Sequence, residues 1–362
     1  MKLTVNTLKL QTMLNKALKG ATNNKLLPMT SLICLNVKDG VLTLVTTDDT
    51  NYLYVRDDVE GAEDFYAVVD TDKFSKLISK FTCENTTITV KDNGIKVVGN
   101  GTYMFELQID SDGSQVAFPN PIGESGNFKE EWDEVATISV DTINTILSAI
   151  KPSVADKDVI LCGYYFGDTV IGTDRTKMAC LRDKIFEKPS LISQEVVNLL
   201  SLMTEDVKVY GKDNTLIFTT ENIALYSISM PDVEDYPSDR IMEKLNDENG
   251  FNSMVKVPKT DLMKLLERIA LFVGDFDNKA INLVFTMNGM QISNKVSSGV
   301  ETVEYIEGKN IKDFACLVNI DILYTQIKAQ ISDVVEIWYG NPSAIKLIDD
   351  NVVMLTALMY NA

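Results

Sequence analysis

The 362-residue chain contains no histidine, and that one absence removes most of the chemistry a side-chain constellation could perform. Without imidazole there is no Ser-His-Asp or Cys-His arrangement, and the usual general base and the commonest metal ligand are missing. The five cysteines, Cys34, Cys83, Cys162, Cys180 and Cys316, are scattered and form no Cys-x-x-Cys pair. They read as buried thiols of a reducing cytosol rather than as a disulfide frame or zinc site. No Gly-rich phosphate loop, G-x-S-x-G elbow or dinucleotide fingerprint occurs. The expectation is a protein that is not an enzyme, with no catalytic residue, metal or cofactor. What remains is ionic chemistry. Lys9, Lys16 and Lys19 lie opposite the apolar side of one stretch, and Lys73, Lys76 and Lys80 off the apolar side of another. Rows of ammonium groups of this kind suit contact with phosphates.

The elements that would position these lysines are amphipathic helices, and they recur. One pattern occurs three times: a helix, paired short strands, a second helix, more strands. The first helices are expected at Leu8–Lys19, Asp141–Lys151 and Lys259–Ala270, the second at Asp72–Phe81, Ser193–Met203 and Asn319–Ile331. Their starts repeat at about the spacing of one small domain. Leu10, Met13, Leu14, Ala17 and Leu18 share one side of the first helix, and Phe74, Leu77, Ile78 and Phe81 share one side of its partner. In the third repeat Leu262, Leu265, Leu266 and Ile269 face inward, away from Lys264 and Arg268.

Charge follows the same division. The net charge of −18 alone argues against nucleic acid. Yet the six helical stretches together carry +5 and the remainder −23, with +3 and +2 on the two helices of the first repeat. A single lysine-bearing face is ordinary solvated surface. Two helices of single-sign outer face inside so acidic a chain are not.

Strands fill the intervals. Leu32–Val37 and Val41–Thr46 flank a Lys38-Asp39-Gly40 turn, a strong hairpin signal. Comparable hairpins are expected at Val159–Phe166 with Thr169–Thr173, and at Ile281–Thr286 with Met290–Asn294. The breaker-rich stretches Phe118–Trp132 and Pro231–Gly250 read as linkers. Domains are therefore expected at 1–124, 132–236 and 254–362. Met1–Asn6 leads directly into the first helix without an apolar leader core, and no run approaches the length of a membrane helix.

With these residues in view, the chain resembles the bacterial-type β sliding clamp, the processivity factor of replicative DNA polymerases, over nearly its whole length. It opens with Met1-Lys2-Leu3-Thr4-Val5-Asn6 and a helix. Leu42-Thr43-Leu44-Val45-Thr46-Thr47-Asp48 is similar to the family's strand ending in Thr-Asp, and Phe118-Pro119-Asn120 to its first connector. Gly172-Thr173-Asp174-Arg175-Thr176-Lys177-Met178-Ala179 is similar to the family's Ala-Thr-Asp-Gly-His-Arg-Leu-Ala, with Arg175-Thr176 standing for Gly-His. Thr356-Ala357-Leu358 stands where the family ends in Met-Pro-Met. The departures suit a divergent member, of cellular or phage origin.

The resemblance implies an α+β fold of three repeated DNA-clamp domains, each with two helices packed on antiparallel β-sheets. Two such chains would close head to tail into a six-domain ring around duplex DNA. It implies a DNA-facing set of Lys9, Lys16, Lys19, Lys25, Lys73, Lys76, Lys80, Lys151, Lys264 and Arg268. It implies a partner-peptide pocket for polymerase and clamp loader, formed by Leu161, Thr173, Arg175, Thr176, Lys177, Met178, Met354 and Thr356. Phe105 and Leu107 of one copy would meet Leu271, Phe272 and Phe276 of the other. The expected location is the cytoplasm, of a bacterium or of an infected host cell. The competing reading is a structural β-rich repeat protein with no DNA role, which has no reason to keep basic helix faces. A trimer of two-domain chains fits three repeats less well.

Overall fold

Alternation of apolar and polar residues writes most of this chain as sheet, and helices appear where the apolar period lengthens. The computed structural model describes every residue except 23, 25, 92–93, 110–112, 124–127, 248–249, 275–277 and 361–362. The chain divides into two compact units, one of Met1–Val140 with Glu195–Ser229, the other of Asp141–Gln194 with Met230–Ala362.

The first unit holds strands β1 (Lys2–Asn6), β2 (Leu32–Lys38), β3 (Val41–Thr47), β4 (Tyr52–Asp58), β5 (Phe65–Asp70), β6 (Asn85–Lys91), β7 (Gly94–Val98), β8 (Thr102–Glu106) and β9 (Asp133–Ile138). One sheet runs β1-β6-β7-β8. A larger one begins β5-β2-β3-β4 and continues through three strands of the second repeat, Ile223–Ile228, Thr215–Thr219 and Val207–Lys212, to β9. Tyr52–Val55 lie antiparallel to Ile223–Tyr226, so the two repeats share one sheet. Helices α1 (Thr7–Ala17) and α2 (Thr71–Ser79) belong to this unit.

The second unit holds β10 (Tyr164–Phe166), β11 (Val170–Thr173), β12 (Lys177–Leu181) and β13 (Ser190–Ile192). It also holds the strands of the third repeat. Its larger sheet runs from β13 through β10, β11 and β12 onto Val352–Ala357, Ala344–Asp349, Val334–Tyr339, Ser253–Pro258 and Glu307–Lys309. The smaller sheet is formed by Val300–Val303, Gly289–Asn294, Ala280–Thr286 and Phe314–Asn319, in that order.

Several expectations are corrected. Met1–Asn6 does not simply lead into a helix. Leu3 and Val5 are buried on alternate positions and β1 pairs antiparallel with β6. The run is too short for its period to stand out beside the helix that follows, which starts where the Asn6 side chain accepts the Lys9 N–H at 3.1 Å. The first helix of the second repeat is α-helical only over Val140–Thr145, widens to a π-turn over Ile146–Ile150 and tightens at Lys151–Ser153, where Pro152 ends it. The expected hairpin strand Val159–Phe166 begins only at Tyr164. The described part of the stretch Phe118–Trp132 is not a plain linker: Phe118, Ile122 and Phe128 are buried in a core with Val45, Tyr54 and Tyr210. Nor is Pro231–Gly250 a plain linker. It carries a helix, Ser238–Leu245, whose Ile241 and Leu245 are buried with Tyr236 and Phe251. Its acidic composition obscured the i, i+4 apolar pair.

Candidate nucleic-acid interface and partner groove

The lysine faces of the first unit rest on a fixed floor. Leu10, Met13, Leu14 and Ala17 of α1 and Phe74 and Ile78 of α2 are buried, and each large apolar side chain so buried contributes about 1.5–3 kcal/mol. Leu18 and Leu77 are half-buried. Gln11 Nε2 donates to the carbonyls of Ile78 and Phe81 at 2.8 and 3.0 Å, so α1 satisfies the open carbonyls at the end of α2. On this floor Lys19, Lys73 and Lys80 are exposed and Lys16 is half-buried, and none has a carboxylate in ion-pair range among the described residues.

The other cations differ. Lys9 is half-buried, with Nζ 2.8 Å from Asp57 Oδ1 and 2.7 Å from the Asp58 carbonyl, so it is committed to the protein. Lys76 pairs with Asp72 one turn away at 2.7 Å, so the outer face of α2 is not of one sign. In the third repeat Arg268 Nε lies 2.8 and 3.1 Å from the two oxygens of Glu301. That hydrogen-bonded pairing holds the Glu301 carboxyl below its usual range. Asp261 and Glu267 are exposed on the same helix as Lys264, whose outer face is therefore mixed. Lys151 is exposed at the close of the π-turn helix, and Lys25 lies outside the described residues. Among the described members of the expected set, the cations without a carboxylate partner thus lie chiefly on α1 and α2 and just past their ends.

A second site lies in the second unit. Leu161, Thr173, Arg175 and Met178 line a cavity of about 410 Å³ together with Ile160, Ile241, Arg240 and Lys244. Arg175, Thr176 and Met178 also line a smaller cavity of about 90 Å³ with Phe251, Ala344, Leu355 and Ala357. The two share Arg175, Met178 and Lys244. Gly172 lets β11 come close beneath: a Cβ there would stand 2.6 Å from Val154 Cγ2 and 3.1 Å from the Ile150 carbonyl.

Three expected pocket residues are elsewhere. Met354 and Thr356 are fully buried on the opposite side of their strand. The register sets Met178 opposite Leu355 and Lys177 opposite Thr356, so Leu355 and Ala357 share the cavity face; an error of one residue exchanges the faces of a strand. Thr356 Oγ1 instead donates to the buried Gln326 side chain, which itself donates to the Leu355 carbonyl at 3.1 Å. Lys177 is half-buried and pairs with Asp174 at 3.2 Å.

Two sheet edges carry exposed apolar residues. β8 ends its four-stranded sheet and exposes Tyr103 and Met104. Phe105 is half-buried, its ring edge-on to Phe74 at 5.7 Å, and Leu107 is buried, so Leu107 belongs to the core rather than to an open edge. At the end of Lys259–Ala270, Leu271 is 82% and Phe272 56% exposed, and Val300 on the edge strand Val300–Val303 is exposed as well. Phe276 lies outside the described residues.

Comparison with known proteins addresses this architecture directly. Residues 1–112 match the family described as DNA polymerase III beta subunit, N-terminal domain. Among solved structures, the beta subunit of DNA polymerase from Streptococcus pyogenes superposes with a TM-score of 0.85 at 16% identity, covering 100% of both chains. The DNA polymerase sliding clamp of Bacillus subtilis gives 0.85 at 14% identity, again over 100% of both. The Helicobacter pylori beta clamp, solved bound to a DNA ligase peptide, gives 0.82 at 15% identity over 99% of this chain and 100% of that one. No curated protein matches by sequence. The chain has the β sliding-clamp fold. The resemblance drawn from the motifs is borne out, as is the three-domain α+β clamp architecture, and at 14–16% identity to these relatives the chain is a divergent example.

Within the clamp fold, the residues that sequence reasoning missed come mainly from one element. Arg240, Ile241 and Lys244 lie on Ser238–Leu245. The available signal was Pro237 followed by Ile241 and Leu245 four apart, with Arg240 and Lys244 also four apart. Asp158 was missed too. Its carboxylate accepts the N–H groups of Leu161 and Ile160 at 2.9 and 3.0 Å, which, with Arg175, hold it below the usual carboxylate range. Among the described residues no group of three Cys, Asp or Glu is placed to hold a metal ion, and no helix is long and apolar enough to cross a membrane.

Proposed function

We propose that this chain is a DNA sliding clamp, which encircles duplex DNA and tethers a replicative polymerase to it. The single observation that carries the reading is the set of lysines on α1 and α2 and just past their ends, Lys16, Lys19, Lys73 and Lys80, without a carboxylate partner among the described residues, in a clamp-fold chain of net charge −18. Lysines without internal partners can trade counterions for phosphates without regard to sequence. Acidic surface elsewhere disfavours DNA at other faces. Lys76, Lys151 and Lys264 join the DNA-facing set more weakly; Lys9 and Arg268 act through the carboxylates they hold.

In this reading the three domains, 1–124, 132–236 and 254–362, form half of a ring closed by a second copy. The β8 edge of one copy meets the Leu271–Phe272 patch of the other. The cavities around Met178 take short apolar peptide segments of the polymerase and the clamp loader, as the Helicobacter pylori clamp takes a ligase peptide. No reaction is catalysed and no cofactor is needed; tethering is topological. The protein works in the cytoplasm, where replicating DNA is found.

The test is retention on DNA of two topologies. Loaded onto nicked circular plasmid with its cognate loader, the protein should co-elute with the DNA through gel filtration at moderate salt. Linearising the plasmid should release it by sliding off the ends. Equal retention on both forms, or none on either, would refute the clamp reading.

A further inference from the structure

A cavity of about 390 Å³ lies on the sheet of β2, β3 and β4. Strand alternation sets its floor on the side away from α1. Thr46 Oγ1 donates to the Ala17 carbonyl of α1 at 2.6 Å, so Thr43 and Val45, on the other parity, face the opposite way. Three cross-strand rows follow on that outer side. Cys34, Val45 and Tyr54 form an apolar row, packed with the connector residues Phe118 and Ile122. Asn36, Thr43 and Arg56 form a polar row, extended by Asn222, whose carbonyl accepts the Arg56 N–H at 2.8 Å. Lys38, Val41 and Asp58 form a charged row at the rim, where Lys38 has a partner of its own.

Arg56 is the odd member. It is half-buried, with its guanidinium over the Tyr54 ring at 5.8 Å, and no protein acceptor meets its side-chain N–H groups among the described residues. Burial pulls its pKa below the ordinary value. Asp57, next in the chain, points to the α1 side and is held by Lys9 at 2.8 Å, while Asp58 is exposed at the rim. A cation drawn partly out of water is costly until an acceptor reaches it. The guanidinium fork fits a carboxylate with two parallel hydrogen bonds, and its place over Tyr54 pre-orients it. Tyr54 is itself fixed, donating its hydroxyl to Asn120 Oδ1 at 3.1 Å. Beside Arg56, the side chains of Asn36, Thr43 and Asn222 can donate to or accept from peptide groups. Four carboxylates, Asp39, Asp57, Asp58 and Glu221, stand against two cations in the lining, a balance that repels a polyanion.

We propose that this cavity docks a mixed-charge segment of a partner protein, one carboxylate of the segment pairing with Arg56 and a lysine or arginine close to it pairing with Asp58 or Asp39 at the rim. Nucleic acid, or a segment of one sign only, leaves half of the site unmet. The site shares no residue with the cavities around Met178. It does not depend on the clamp reading.

The experiment uses the full chain and three dye-labelled heptapeptides, capped at both ends and otherwise of glycine and serine, with Glu-Gly-Lys, Gln-Gly-Lys or Glu-Gly-Gln at the centre. By fluorescence polarisation at low salt, the Glu-Gly-Lys peptide should bind about tenfold more tightly than Gln-Gly-Lys and about threefold more tightly than Glu-Gly-Gln. The first contact is half-buried and the second exposed. Arg56→Gln should bring the first ratio to within about twofold, and Asp58→Asn should do the same to the second. Circular dichroism melts establish that the variants are folded; Asp58 is exposed, so its variant carries the test if Arg56→Gln does not fold. Equal binding of the three peptides, binding of none, or a full carboxylate preference in folded Arg56→Gln overturns the proposal. So does an oligothymidylate that binds more tightly than the peptides and loses that affinity in Arg56→Gln, which would make the ligand nucleic acid. Retention on circular DNA is read separately and decides the clamp reading by itself.

Discussion

At the scale of single residues, the ten cations that the family resemblance groups together divide by what each already touches. Lys73 and Lys80 are exposed without a carboxylate partner, whereas Lys9 spends its charge on Asp57 and the Asp58 carbonyl. Counterion release distinguishes them. Each phosphate contact contributes about 0.9 to the slope of log affinity against log salt. Lys73→Glu with Lys80→Glu should therefore flatten the salt dependence of clamp–DNA association by up to about two, with little change in unfolding midpoint. Lys9→Gln should do the converse, leaving the slope alone and costing up to about 1 kcal/mol of stability through the lost, partly exposed pair. Salt titrations and urea melts on the two proteins make the comparison; equal slopes for both would remove Lys73 and Lys80, and with them the α2 face, from the DNA-facing surface.

At the scale of elements, legibility tracked how far a period runs. Lys259–Ala270 has the bounds its pattern implies, because it repeats its period over several residues without interruption. β1, with two inward residues, and the helix Ser238–Leu245, with one i, i+4 apolar pair inside an acidic stretch, offer too few repeats to be distinguished from their surroundings. The groove suffered from the same limit in another form. Its strand at Thr169–Thr173 is legible in the sequence, but the face of Val352–Ala357 depends on a register with β12 that pairing across the chain decides. Thr356 consequently changes role, from a groove residue to a tie between strand Val352–Ala357 and helix Ile320–Ala329. Thr356→Val keeps the shape but leaves the buried Gln326 carbonyl without its donor. It should lower stability by about 1–3 kcal/mol, read from the denaturant midpoint at constant m. Peptide binding should be unaffected, since Leu355 and Ala357 still face the cavities. A stable Thr356→Val that failed to bind peptide would return Thr356 to the groove.

At the scale of the molecule, the question is what becomes of the apolar edges. An open strand edge with large apolar side chains is a site for pairing with another chain unless charge or a bulge blunts it. β8 has Met104 at 65% exposure, and the end of Lys259–Ala270 has Leu271 at 82%, each beside further exposed apolar groups. In a head-to-tail pair these two different patches meet twice, so damage to either should open both contacts at once. Leu271→Asp with Phe272→Asp places carboxylates where the contact would be dry, and each would have to be desolvated at a cost of several kcal/mol without a cationic partner. The core of the third repeat is untouched, because Leu271 is largely in solvent and Phe272 more than half so, neither being a buried core residue. Sedimentation equilibrium should therefore give twice the single-chain mass for the unaltered protein and the single-chain mass for the variant, at equal melting temperature. Because a ring holds DNA by closure rather than by affinity, the same variant should lose retention on circular plasmid even though its α1 and α2 lysines are intact. A variant that remains dimeric would move the contact away from Leu271 and Phe272. One that becomes monomeric yet is still retained on circles but not on linear DNA would separate topology from dimer closure.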